Sequence, residues 1–380
     1  MNSVFRHVQV RGLVVTVPEQ CIDIRDELEF FGNDPRKLKR AMNMVGYGTR
    51  RVVEHGVTAL DLCEHAARHL LRDMAEEAQG IDTLLLVEQT PDYLQPSDAC
   101  LLQNRLGFSR DVTALSAIQG CSGYVQGLWL AHSLIASGAS SKVLLLAGDT
   151  PSVHSQRSNR LVNPLFGDAG SATLLLRTEE ENTAYFYLGT DGSGWSDIAI
   201  PAGGARLPLD DDILKRSITD AAGNPWRLCE AIISGMSVFD FSVHTVPEAV
   251  AKVLDLAGQQ LADMDFIAMH QANKQILDEI ALRLGLERGG LHSGTFSRYG
   301  NQSTASVADV LAHVFAGRMD ENSFTMLLCG FGIGFSWASA VLRFTHCRNM
   351  GVITHTATGK AWSREEQCEF LEKKFLRSQR

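Results

Sequence analysis

Two rhythms of apolar and polar positions alternate along the chain. Short apolar runs of the buried-strand kind occur at Val8–Val17 (interrupted by Gly12, closed by Pro18), 81–87, 142–147 and 173–176. Between them the apolar positions recur near a period of 3.6. Thr58–Glu77 places Leu60, Cys63, Ala67, Leu70, Leu71 and Met74 on one side, and Ser97–Leu106 reads as a helix ending at Gly107. A third helical pattern follows an apolar run that ends at Gly120: Val125, Leu128, Trp129, Ala131, Leu134 and Ile135, with Gly138 as its stop. Alternation of this kind predicts an α/β layered fold around a largely buried sheet.

The polar stretch 178–184 breaks the rhythm, and 190–225, rich in Gly, Asp and Pro, reads as a long surface excursion. The alternation then resumes, with helices at Val238–Leu256, Asn273–Leu284 and Val307–Ala316 and strands at Met264–Met269 and Ser323–Leu328. Repetition of one rhythm predicts two similar halves, 1–177 and 178–346. Residues 347–380 fall outside it as a C-terminal extension, in which Arg364–Arg377 is a candidate charged helix.

Composition narrows the class. With 45% hydrophobic and 21% charged residues the chain is globular, and a net charge of −9 argues against nucleic acid as a partner. The start, Met1–His7, lacks the apolar core of a signal peptide, and no run approaches the ~18 apolar residues of a membrane span. The eight cysteines are irregularly spaced and form no C-x-x-C, so neither a disulfide framework nor a zinc module is expected, and a reducing cytoplasm fits. His65 and His69 stand four apart without the Glu of a His-Glu-x-x-His motif, so no metal site is expected there. Arg36, Lys37, Lys39 and Arg40 form either a solvated helix face or a basic lip for an anionic ligand.

Four turns carry candidate chemistry. Gly120-Cys121-Ser122-Gly123 predicts a cysteine on the first residue of a helix, where free N–H groups favour a thiolate nucleophile. A small buried cysteine in a tight turn is the other reading of that segment alone. His270 stands where a strand ends and a helix begins, a position at which α/β folds collect functional groups. Asn301 lies in a polar turn before another helix, as a helix cap or as a site residue. The alternating glycines of Gly330-Phe331-Gly332-Ile333-Gly334 suggest a dinucleotide loop. A strand-like run, Ala338–Phe344, follows them where that motif requires a helix, so the suggestion fails.

Taken in order, Gly-Cys-Ser-Gly at 120–123, Leu-Phe-Gly-Asp at 165–168, His-Gln-Ala-Asn at 270–273, Gly-Asn-Gln-Ser-Thr-Ala-Ser-Val at 300–307 and Gly-Phe-Gly-Ile-Gly-Phe-Ser-Trp at 330–337 resemble the β-ketoacyl-acyl carrier protein synthase III branch of the thiolase superfamily. The resemblance covers about residues 5–345. It implies two similar βαβαβαββ halves in a five-layer α-β-α-β-α body, paired as a homodimer. It further implies that Cys121 accepts an acyl group and that His270 and Asn301 complete a Cys-His-Asn triad. The N–H groups of Cys121 and Gly334 would form the oxyanion hole. The implied reaction is decarboxylative Claisen condensation of acyl-Cys with a malonyl thioester, without metal or redox cofactor. The acyl thioester would arrive on coenzyme A or acyl carrier protein.

The chain departs from that family's pattern in places. There is no Trp in 30–50, and Met44 stands where an Arg of the coenzyme A clasp would fall, which favours acyl carrier protein as donor. Gln275 replaces an Arg after His-Gln-Ala-Asn, leaving Asn273, Lys274 and Arg283 as substrate or carrier contacts, with Gln95 at the acyl pocket. Three other readings compete. A thiolase would use Cys329 as its second cysteine, although that residue is one position out of register. A related acyltransferase would pass the acyl group to a hydroxyl or amine. A non-catalytic partner subunit would tend to lack the nucleophile.

Overall fold

The computed structural model describes residues 1–155, 157–221, 223–356 and 364–378. Its main elements run β1 (Asn2–Phe5), β2 (Val8–Pro18), α1 (Pro35–Val45), α2 (Ala59–Asp73), β3 (Thr83–Glu88), α3 (Asp98–Arg105), β4 (Thr113–Ile118), α4 (Gly123–Ala136), β5 (Lys142–Asp149) and β6 (Ala169–Arg177). The chain continues through β7 (Ala184–Thr190), α5 (Gly235–Ala257), β8 (Phe266–Met269), α6 (Lys274–Arg283), α7 (Gly294–Tyr299), α8 (Ser306–Phe315), β9 (Phe324–Gly332), β10 (Ser336–Phe344), β11 (Arg348–His355) and α9 (Arg364–Ser378). The period-3.6 stretches become helices with sequence-coded starts. Thr58 closes a capping box with Asp61 at the head of α2, and the Asn273 side chain accepts from Ile276 N–H at the head of α6.

Five layers result. One sheet has the strand order β11-β2-β6-β5-β3-β4 and the other β1-β7-β10-β9-β8. Helices α4 and α8 lie between them and touch both sheets. Their apolar faces (Leu128, Ile135, Val307, Leu311) share one core with Leu85, Val143, Leu175, Phe186 and Leu328 from the strands. Outside the first sheet, α2 buries Leu60, Cys63 and Leu70 against Leu84, Leu144 and Leu174. Outside the second, α5 and α6 bury Val250, Leu254, Leu277 and Ile280 against Leu327 and Val341. A strand covered on both faces is apolar at consecutive positions, which is why β3 and β5 read as unbroken runs. No helix among the described residues is long and apolar enough to cross a membrane.

Three features differ from the expected plan. The first half follows β2-α2-β3-α3-β4-α4-β5-β6, but the second has no strand among the described residues in the place corresponding to β4. Strand β1, from the start of the chain, joins that second sheet at its other edge by pairing with β7. The extension does not lie wholly outside the body: β11 adds to the first sheet in parallel with β2, which covers that strand's edge. The excursion after β7 contains a short helix, Asp211–Lys215, and the pairing of Ser217–Thr219 with Pro225–Arg227.

His132, in the central layer on α4, is 2% exposed, and its ring meets Phe5 and Phe186. Its Nδ1 lies 2.7 Å from Leu128 O, and desolvation pushes the imidazole down to about 4. That value lies below the roughly 6.5 of an unfolded chain. The stability contributed by the neutral ring is therefore complete above pH 6.5 and is lost as pH falls toward 4. Over that window, unfolding free energy should fall more steeply in the native chain than in His132→Gln, by about 1.4 kcal/mol per pH unit. Denaturant unfolding at several pH values reads this difference, and parallel curves would contradict it.

Candidate active site

Cys121 sits between β4 and α4. The turn is closed by Gly123 N–H donating to Gly120 O at 2.7 Å, and Ser122 is the N-cap of α4. Cys121 therefore precedes the cap and is not the first helical residue, as the periodicity predicts. The end of β9 lies against it. A Cβ on Gly332 would stand 2.9 Å from Cys121 Sγ, and one on Gly120 would stand 2.4 Å from Ile333 Cγ2. Glycine at both places is the condition for this close approach.

The turn after β9 is clamped onto the nucleophile's turn by a relay of hydroxyls. Gln126 Nε2 donates to Ser122 Oγ at 2.9 Å, the Ser122 and Ser336 hydroxyls are 2.7 Å apart, and Ser336 Oγ donates to Ile333 O at 2.8 Å. This fixes the Ile333–Gly334 peptide against the nucleophile's turn, while the N–H groups of Ile333, one peptide earlier, and of Cys121 favour charge on the Cys121 sulfur. The expected pair was Cys121 and Gly334; on this turn the N–H that favours charge at the sulfur is that of Ile333, the residue before Gly334. The expected reason for Gly334 was room for backbone approach. Here Gly120 and Gly332 supply that room, so a side chain is tolerated at 333.

Partly accessible though it is, the Cys121 thiol is pushed up to about 11. Desolvation is the main cause, and the negative charge of Asp149 adds to it against the two N–H groups. The resting group is a thiol, not the ready thiolate expected from a helix start.

His270 extends the β8–β9 pairing, its N–H donating to Cys329 O at 2.8 Å. Its ring stands edge-on to Phe331, with centroids 5.4 Å apart. Nδ1 is 2.6 Å from Ser306 Oγ at the head of α8, and that hydroxyl also receives Gln271 N–H at 3.3 Å. Burial pushes the imidazole down to about 3, so it is neutral across the working range.

Asn301 is anchored by its backbone to the 165–167 segment: its N–H donates to Leu165 O at 2.9 Å, and Gly167 N–H donates to its carbonyl at 3.1 Å. Its side-chain Oδ1 accepts Ser303 N–H at 3.0 Å. Ser303 N–H orients the amide by its oxygen, which leaves the Nδ2 hydrogens for donation. Asp168, last of Leu-Phe-Gly-Asp, secures the same region by accepting Val53 N–H at 2.8 Å and Ser152 N–H at 3.0 Å. The turn 303–306 joins the three segments, since Thr304 Oγ1 lies 3.2 Å from Gln119 O beside the Cys121 turn, Ser303 meets Asn301 and Ser306 meets His270.

The other expected contacts are placed differently. Asn273 caps α6. Lys274 is paired with Asp278, and Arg283 lies 3.8 Å from Glu279 at the far end of that helix, about 14 Å along its axis from Lys274. Gln95 is exposed beside Leu94 on the loop before α3. The basic residues Arg36, Lys37, Lys39 and Arg40 are exposed on α1, whose C-terminal Gly46 abuts Lys274. Cys329 faces away from Cys121 into the outer core, where Ser339 Oγ donates to its sulfur at 3.2 Å, and this removes the thiolase reading. His65 is hydrogen-bonded to Thr16 and His69 to Arg72.

Sequence reasoning missed Ser306 and Ile333. Ser306 stands inside the quoted 300–307 motif, and its signal is a polar residue at a helix start facing the histidine's strand. Ile333 is hidden because an apolar side chain says nothing about where its N–H points.

Comparison with known proteins gives the family. Residues 116–192 match the family described as 3-oxoacyl-(acyl-carrier-protein) synthase III, and residues 254–344 match its C-terminal part. A Campylobacter jejuni protein provisionally named 3-oxoacyl-(acyl-carrier-protein) synthase 3 is 34% identical over 94% of this chain and 99% of its own. A β-ketoacyl-(acyl-carrier-protein) synthase III of Caldanaerobacter subterraneus is 30% identical over 79% of this chain and 87% of its own. The crystal structure of a 3-oxoacyl-(acyl-carrier-protein) synthase from Burkholderia xenovorans superposes with a TM-score of 0.85 at 32% identity, covering 93% of this chain and 99% of that one. The five-layer body and these similarities place the chain in the 3-oxoacyl-(acyl-carrier-protein) synthase III family of acyltransferases, to which it belongs.

Proposed function

We propose that this enzyme loads an acyl group onto Cys121 and condenses it with a malonyl thioester, releasing CO2 and forming a β-ketoacyl thioester. The observation that carries the reading is the pair of neutral donors beside the nucleophile. His270 is held uncharged by burial, and Asn301 has its amide oxygen occupied by Ser303 N–H.

In the first half-reaction the Cys121 sulfur attacks the acyl thioester carbonyl. The N–H groups of Cys121 and Ile333 receive the oxyanion, and collapse expels the carrier thiol, which takes the proton that Cys121 gives up. Ser306 suits His270 for passing that proton, because a hydroxyl accepts as readily as it donates. With Nδ1–H donating to Ser306, Nε2 has a free lone pair. In the second half-reaction the malonyl group loses CO2, and its thioester oxygen becomes an enolate oxygen. Once the ring has exchanged its proton with solvent, gaining one on Nε2 and giving up the one on Nδ1, Ser306 donates to Nδ1, and Nε2–H and Asn301 Nδ2–H both serve that oxygen. The enolate carbon attacks acyl-Cys, a carbon–carbon bond forms, and the Cys121 sulfur leaves as a thiolate and takes a proton from solvent.

A homodimer is part of the proposal. Strand β4 ends its sheet with Leu115 and Ile118 exposed, and Leu94 on the adjoining loop is 89% exposed, features suited to a second copy of the chain. Gln95 would then approach the partner's acyl pocket. The exposed basic face of α1 beside Lys274 suits an acidic acyl carrier protein. Fatty-acid and polyketide starters are both compatible with this site.

Intact-protein mass spectrometry with a panel of acyl thioesters, followed by malonyl carrier protein, tests the reading. An acyl adduct that is discharged as a β-ketoacyl thioester with release of CO2 is expected. Discharge to a hydroxyl or amine acceptor, with the malonyl thioester intact, would overturn condensation.

A further inference from the structure

The reaction above leaves unused an aromatic clasp behind the turn that bears the Ile333 N–H. Residues 333–335 form the three-residue loop of the β9–β10 hairpin, closed by the pairing of Gly332 with Ser336. The hydroxyl relay through Ser122 and Ser336 holds this loop from the side of Cys121. From the other side it is held at Phe335. The Phe335 N–H donates to Asp191 O at 2.7 Å, and Asp191 N–H donates back to Phe335 O at 2.8 Å. The Phe335 side chain is buried and stacks on Phe241, in the second turn of α5, with ring centroids 4.2 Å apart and planes 8° from parallel. Gly194 also lies against that ring: a Cβ there would run into Cδ2 and Cε2, so glycine is the condition for the ring's position. Phe241 and Gly194 together confine the Phe335 ring.

These contacts come from the two ends of the excursion after β7. Asp191 and Gly194 stand at its start and Phe241 just beyond its end. The ends are joined by Ser234 N–H donating to Asp197 O at 2.7 Å and by pairing of Ile198 and Ala199 with Ile233 and Ile232. The excursion thereby grips the hairpin loop at one residue. A loop of three residues offers little slack, so a displaced Phe335 ring is passed on to Ile333, two positions away and packed beside Gly120. Misplacement by about 1 Å is enough to slow a reaction about 10²-fold. His270 and Asn301 stand on other segments, after β8 and after α7, and are not carried by this loop.

We propose that Phe241 is a positioning residue for acyl transfer: by confining the Phe335 ring against Gly194 it holds the 333–335 loop, and with it the Ile333 N–H, beside Cys121. The inference rests on the proposed reaction, in which the Cys121 and Ile333 N–H groups serve the loading oxyanion while His270 and Asn301 serve the enolate. It predicts a split that a merely structural residue would not produce. Loss of Phe241 slows loading and spares decarboxylation.

Two assays on the full-length enzyme read the split: single-turnover loading of Cys121 from acetyl, butyryl and octanoyl thioesters of carrier protein, and CO2 release from malonyl carrier protein. Phe241→Leu, apolar but without a flat ring, should load roughly 10- to 10²-fold more slowly and release CO2 at close to the native rate. Phe241→Tyr keeps the ring and should restore loading. Gly194 ends a single helical turn without a left-handed φ, so Gly194→Ala suits its backbone and acts by pushing the Phe335 ring. It should slow loading in the same range. Because both substitutions act through one ring, the double variant should load faster than the product of the two losses predicts, since leucine makes room for the displaced ring. Native loading in Phe241→Leu and Gly194→Ala, equal losses in the two assays, or multiplicative losses in the double variant would overturn the proposal. Should Phe241→Leu fail to fold, Gly194→Ala decides by the same split. A native enzyme that neither loads Cys121 nor releases CO2 would instead overturn the reaction on which the inference rests.

Discussion

In the Cys121→Ala enzyme no acyl adduct is expected on intact protein, and condensation should fall roughly 10⁴-fold or more, as it does when a covalent nucleophile is deleted. The expectation is specific because the rest of the machinery stays in place. The Ile333 carbonyl is held by the Ser122–Ser336 relay, whose hydrogen bonds do not run through the Cys121 side chain. His270 and Asn301 keep their own partners, Ser306 and Ser303. Malonyl decarboxylation should therefore persist in Cys121→Ala, uncoupled from carbon–carbon bond formation. Seven other cysteines are present, of which Cys21, Cys100 and Cys368 are exposed, so adducts must be located by peptide mapping. An acyl adduct that persists at native occupancy in Cys121→Ala would remove Cys121 from the mechanism.

The site was legible in sequence to the extent that side chains carry its chemistry. Cys121, His270 and Asn301 each stand at a junction between regular elements, where the hydrophobic period breaks and a polar residue appears, and the order of their motifs set them in one family. What the pattern did not carry was backbone direction and proton inventory. Gly334 matches the donor position that the family pattern implies, and a glycine there reads as room for close backbone approach. The glycines that grant it are 120 and 332. The thiolate expectation failed for a related reason. A helix start lowers a cysteine only where the sulfur is solvated, and here enclosure by β9 and the 303–306 turn outweighs the two N–H groups.

The extension misled in a different way. Arg348–His355 is weakly apolar and alternating because β11 is an edge strand with one wet face, so its run was too faint to be read as part of the body. Likewise nothing in Asn2–Phe5 says that it will pair with β7 in the opposite sheet, because strand partners are chosen by tertiary packing and not by local period.

His270→Ala and Asn301→Ala should each slow malonyl decarboxylation by about 10²–10³-fold, the usual consequence of removing one donor from an oxyanion site. Acyl loading should suffer less, since its oxyanion is served by the backbone N–H groups of Cys121 and Ile333. Separate assays, CO2 release from malonyl carrier protein and adduct formation on Cys121, read the two steps. Collapse of loading with decarboxylation intact would reverse these roles. The pH dependence adds a second discriminator. A histidine titrating near 3 is an uncharged donor throughout pH 5.5–8, so decarboxylation should be flat there with respect to His270. If an imidazolium were the donor, the rate would rise as pH falls through 6.5. Ser306 allows one imidazole to serve both steps: its hydroxyl accepts from Nδ1–H when Nε2 must take a proton, and it donates to Nδ1 when Nε2–H must hold the enolate. A carboxylate at 306 would hold the proton on Nδ1. Ser306→Asp should therefore lose decarboxylation while retaining loading, whereas Ser306→Ala, which leaves Nδ1 unpartnered, should weaken both.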